Sequence, residues 1–68
     1  MEQGTVKWFN DAKGFGFIIR QNGEEAFAHF SDIVAKGHRN LTTGQRVEFE
    51  VVDNGPKGAR ATQITVIG

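Results

Sequence analysis

Phe15-Gly16-Phe17-Ile18-Ile19-Arg20, then Gln21-Asn22-Gly23, then Glu24-Glu25-Ala26-Phe27-Ala28-His29-Phe30: this stretch decides the fold. Asn22-Gly23 between two β-type runs is a strong hairpin signal, because both residues tolerate the positive φ a tight turn needs. The runs predict antiparallel strands over 14–20 and 25–30. Side chains alternate across a strand. Phe15, Phe17 and Ile19 therefore share one face, and Ile18 shares the other with Gly14 and Gly16. In the partner strand Phe27 and His29 oppose Ala26, Ala28 and Phe30. Burying the large aromatics would force His29 into the core beside Phe27. Burying Ile18, Ala26 and Ala28 avoids that conflict and leaves Phe15, Phe17, Phe27 and His29 outside.

The same alternation continues outward. Residues 4–10 read as a first strand with Val6 and Trp8 on one parity, and 10–14 as a turn. Ser31 to Val34 reads as one helical turn capped by Ser31. The polar segment through Asn40 reads as a loop, with Leu41 as an isolated core anchor and 42–45 as a turn. Residues 46–53 alternate Val47, Phe49 and Val51 against Glu48 and Glu50. Asn54-Gly55-Pro56-Lys57-Gly58 is turn-rich, and 59–67 closes the pattern with Ile64 and Val66 on its apolar side. The expected interior is Ile18, Ala26, Ala28, Val47, Phe49, Val51, Ile64 and Val66. Five short strands without a long helix leave exposed edges unless they close. The expectation is an all-β fold: a small closed five-stranded antiparallel barrel of the oligonucleotide/oligosaccharide-binding type.

Composition narrows the chemistry. With 68 residues the chain is read as one domain, 1–68. A domain this size buries only about 60% of its unfolded surface. There is no cysteine, which excludes disulfides and thiolate zinc sites and suits a reducing cytoplasm. No targeting segment or membrane-length apolar run is visible, so a cytoplasmic address is expected. The formal net charge is zero, which argues against indiscriminate phosphate binding. A neutral chain can still carry a basic face.

Such a face is expected here. An exposed aromatic cluster is costly and marks an interaction site. Trp8 is expected to join it. Lys7 and Lys13 flank it, Lys57 and Arg60 reach it from the late loop, and Asn10 offers an amide to a base edge. Acidic residues collect elsewhere, at Glu48, Glu50 and Asp53. Aromatics beside cations suit single-stranded nucleic acid, whose bases stack at roughly 1–3 kcal/mol each.

Gly4-Thr5-Val6-Lys7-Trp8-Phe9-Asn10, Lys13-Gly14-Phe15-Gly16-Phe17-Ile18, Phe27-Ala28-His29-Phe30 and Gly44-Gln45 together resemble the bacterial cold-shock proteins over nearly the whole chain. The resemblance implies a closed five-stranded barrel that binds single-stranded RNA and DNA, often pyrimidine-rich, and acts as an RNA chaperone or in adaptation to cold. It makes the second and third segments the two ribonucleoprotein motifs. It carries a binding face onto Lys7, Trp8, Phe9, Asn10, Lys13, Phe15, Phe17, Phe27, His29 and Phe30. His38 stands where the family usually has Phe or Tyr. A histidine stacks more weakly and makes that subsite pH-sensitive, which titrations at two pH values with His29 controlled would test. Ala26 and Ala28 replace common valines, and the late loop lacks the usual proline after Lys-Gly while Arg60 adds a cation.

Other classes fit less well. No nucleophile–base pair stands out, and Gly14-Phe15-Gly16 lacks the further glycine and helix of a phosphate-binding loop. Two histidines without cysteine or a tight carboxylate cluster make a poor metal site, so neither enzyme activity nor a cofactor is expected. A barrel that binds proline-rich peptides is the alternative. The absence of tyrosine and the lysines beside the aromatics disfavour it. An α/β ribonucleoprotein domain would need two helices that are missing here. The expected partners are single-stranded RNA and DNA, the expected state a monomer.

Overall fold

A computed structural model describes residues 1–34, 40–53 and 58–68. Strands β1 (Glu2–Asn10), β2 (Phe15–Arg20), β3 (Glu25–His29), β4 (Arg46–Asp53) and β5 (Ala59–Val66) close into a barrel in the order β1-β2-β3-β5-β4. The Asn-Gly hairpin forms where the sequence places it. Gly23 adopts φ +88°, and its N–H donates to the Arg20 carbonyl at 2.9 Å.

One pair departs from the expected antiparallel barrel: β3 and β5 run parallel. A ring of five strands forces this, because strand direction cannot alternate around an odd number. The parallel pair falls where the chain crosses from β3 to the far side of the barrel, since parallel neighbours need a crossover rather than a hairpin. That crossover starts with a 3-10 turn at Phe30–Asp32, capped by His29 rather than by Ser31 as expected. His29 is still extended, and its Nδ1 accepts the Ser31 N–H at 3.3 Å.

The core is Val6, Ile18, Ala26, Ala28, Ile33, Leu41, Val47, Phe49, Ala61 and Ile64. Ile18, Ala26 and Ala28 point inward as the alternation requires, and Leu41 is buried with them as the expected anchor. Phe49 is the largest fully buried side chain. Two expectations shift. Val51 is only half-buried against the core. Val66 pairs with Val47 yet is 42% exposed, because it lies in the last turn of register at the barrel rim. Ala61 takes an interior place that alternation from Ile64 would deny it. Gln63 adopts φ +54°, and the β4–β5 register slips between Glu48 and Glu50. That irregularity turns Ala61 and Ile64, three residues apart, to the same side.

Glu48 and Glu50 alternate with the buried residues of β4. Arg20 is clamped by Glu2, through Nε at 2.9 Å and Nη2 at 3.0 Å. The hydrogen bond to Glu2, with its charge and that of Glu24, raises the Arg20 guanidinium above its ordinary range. Among the described residues no helix is long and apolar enough to cross a membrane.

Candidate functional site

The outer face of β1–β3 is built by register. Trp8 lies opposite Phe17, and Phe17 opposite Phe27. A second row runs from Asn10 to Phe15 to His29. The rings touch throughout. Trp8 lies 5.9 Å from Phe15 and 5.5 Å from Phe17 between centroids. Phe27 lies 6.0 Å from Phe15 and 5.8 Å from Phe17. His29 continues the patch at 6.4 Å from Phe27 and 4.7 Å from Phe30. These are edge and tilted contacts, which hold the rings without hiding their faces.

Trp8 reaches this face against its sequence parity. Val6 pairs with Ile18 and points inward, whereas Trp8 pairs with Phe17 and points outward, because the register shifts between them. Lys7 is the extra residue of that bulge. Without it Trp8 would follow Val6 inside; with it the indole is 37% exposed. Phe9 then turns toward the barrel and packs half-buried against the core, away from the outer face. Gly16 makes room for it: a Cβ there would collide with the Trp8 carbonyl oxygen and come within 2.6 Å of the Phe9 Cα. Gly14, at φ +77°, does the same for Phe30, whose Cδ1 lies 2.7 Å from where its Cβ would sit.

The polar groups are partly committed. Asn10 Oδ1 accepts the Lys13 N–H at 3.0 Å, which holds the turn and leaves the amide N–H donors for a ligand. His29 Nδ1 accepts from the Ser31 backbone and lies 2.9 Å from Ser31 Oγ. In the neutral ring the proton then sits on Nε2, one donor on the face. Lys7 Nζ lies 2.6 Å from Glu25 Oε2 in an exposed pair. Arg60 stands on β5 rather than in the loop, opposite Phe27, and its Nε and Nη2 donate to Asp32 Oδ2 at 3.0 and 2.8 Å. Among the described residues Lys13 has no carboxylate partner. His38 and Lys57 lie outside the described residues.

The acids are therefore not all on the far wall. Glu25 and Asp32 border the face, and the sequence reading missed both. Glu25 was within reach, since it shares parity with Phe27 and His29. Asp32 carried no local signal, because its partner is brought to it only by the β3–β5 register. Among the described residues no cluster of His, Asp and Glu could hold a metal.

Comparison with known proteins agrees with this geometry. The family described as the 'Cold-shock' DNA-binding domain matches residues 2–67. The chain is 55% identical over 64 residues to cold shock protein CspC of Bacillus subtilis, spanning 94% of this chain and 96% of that one. It is 54% identical over 68 residues to the cold shock-like protein CspD of Escherichia coli, spanning 98% and 90%. Among solved structures, Drosophila Unr CSD456 superposes with a TM-score of 0.73 at 28% identity, over 98% of this chain and 26% of that one. The chain thus spans about a quarter of that neighbour's length.

Proposed function

The chain belongs to the cold-shock domain family of nucleic-acid-binding proteins, and from that premise we propose that it captures single-stranded RNA and DNA by stacking unpaired bases on Trp8, Phe17, Phe27, Phe15 and His29. The observation that carries this reading is the cross-strand row Trp8–Phe17–Phe27, accessible on the outside while Ile18, Ala26 and Ala28 fill the inside. Phe30 extends the platform beyond His29. Lys7, Lys13 and the Asn10 amide meet the backbone and base edges passing over it. Lys57 and His38 belong to the same proposed interface.

The protein acts by binding alone. Holding strands when they open disfavours RNA secondary structure and needs no nucleotide hydrolysis, which suits an RNA chaperone or a regulator of expression in the cold. Stacking is tolerant of sequence, so preference is modest and favours pyrimidine-rich strands, whose smaller bases pack beside one another on rings about 6 Å apart. Residues 1–68 work as a single monomeric unit in the cytoplasm.

The test is Trp8 fluorescence during titration with a short thymine-rich single strand, with the matching duplex, and at two salt concentrations. Strong quenching by the single strand, weak response to duplex and a moderate salt effect are expected. No quenching at micromolar concentrations would overturn the reading and bring forward the proline-rich-peptide alternative.

A further inference from the structure

The aromatic row does not end at Phe27. The same register continues from Phe27 to Arg60 on β5 and from Arg60 to Val52 on β4. Ala61 is buried, so its neighbour Arg60 faces outward with Phe27. Val52 is 48% exposed, an apolar side chain on a wall otherwise carrying Glu48 and Glu50. Two further positions thus lie in line with the three rings.

Arg60 is held in an unusual way for a surface cation. Nε and Nη2 both donate to one Asp32 oxygen, which fixes the plane of the guanidinium. The Asp32 side chain is only 14% exposed, while that of Arg60 is 41% exposed. The acid is tucked in and the Arg60 side chain stays accessible. Nη1 keeps its two N–H donors. Guanidinium planes stack bases much as aromatic rings do. The carboxylate also offsets the charge, which weakens Arg60 as a phosphate ligand and leaves its planar face as its distinguishing property.

We propose that Arg60, flanked by Val52 and oriented by Asp32, is one further base-stacking subsite for the same single strand, beyond Phe27. This rests on the single-strand reading above. Arg60 contacts the base; Asp32 is a positioning residue; Val52 gives the base an apolar neighbour.

An abasic scan separates the two claims. In a short thymine strand, one base at a time is removed while every phosphate is kept, and each strand is titrated against the wild type and against Arg60→Lys, which retains the charge but not the plane. The expected result is one position near a strand end whose base loss costs about fivefold in wild-type affinity and nothing in Arg60→Lys, with the penalties at all other positions unchanged. Asp32→Asn should silence that same position. Thermal melts of both variants check folding, and Arg60→Gln stands in if either fails to fold. Equal weakening of every strand by Arg60→Lys or Arg60→Gln, or no change, would overturn the proposal and assign Arg60 to the backbone or to the fold. Wild-type indifference to base removal at every position would instead overturn the stacking reading itself.

Discussion

Strands β3 and β4 use alternation in opposite ways. On β4 the aromatic Phe49 is fully buried while Glu48 and Glu50 face outward. On β3 the alanines Ala26 and Ala28 are fully buried while Phe27 and His29 face outward. The first arrangement is what burial of apolar surface favours. The second gives up that stabilisation and leaves rings accessible on the outer face. One small barrel thus has a wall that holds it together and, on the reading proposed above, a wall that works, and Phe49 shares the buried cluster with the small side chains behind that second face.

Breaking the holding wall should have the largest effect. Phe49→Ala removes the largest interior side chain and should cost about 3–5 kcal/mol of stability. In a domain this small that is read as a deep fall in midpoint by chemical denaturation. Affinity measured where the variant is still folded should change little. An equal loss of affinity in the folded variant would show that the two walls are not separable.

Breaking the working wall should do the reverse. Phe27→Ala sits at the junction of both rows and should weaken single-strand binding by about 1–3 kcal/mol, or roughly fivefold to 150-fold. Its melting temperature should fall only slightly, since the ring is packed on one side. Isothermal titration beside a thermal melt measures both. A collapse in stability with unchanged affinity per folded molecule would place Phe27 with the core instead.

Gly16→Ala addresses the seam between the walls. The added Cβ meets backbone, the Trp8 carbonyl and the Phe9 Cα, so β1 must move off β2. Overpacking of this kind costs about 1–3 kcal/mol, and Trp8 emission should shift because its carbonyl is the group displaced. An unshifted spectrum would mean the seam yields elsewhere.

The smallest effect sharpens the electrostatics. Lys13→Gln should reduce the salt slope of single-strand binding by about 0.7. Lys7→Gln should reduce it by less, because Glu25 already neutralises Lys7 at 2.6 Å. Equal slopes would show that Glu25 is displaced completely by phosphate.

Much of this contrast was legible in residues 15–29. The hairpin, the inward Ile18, Ala26 and Ala28 and the outward Phe15, Phe17, Phe27 and His29 all follow from a period of two and an Asn-Gly turn. Both signals are local, so a single sequence carries them. His29 was the informative residue, since it made the buried-aromatic assignment untenable. Trp8 was placed correctly on the outer face although its parity with Val6 argued otherwise. The cause is the bulge at Lys7, which alternation cannot register.

By itself, then, the amino-acid sequence determined five strands, a barrel, and which face of β2 and β3 is aromatic. Tertiary structure alone decided the parallel β3–β5 pair, the inward turn of Phe9, the exposure of Val66 and the meeting of Arg60 with Asp32. The division has one physical reason. Side-chain alternation is set by the backbone of each strand, residue by residue. Register between strands distant in sequence, and the bulges that adjust it, are set by closing five twisted strands around one interior, and no short stretch of chain contains that condition.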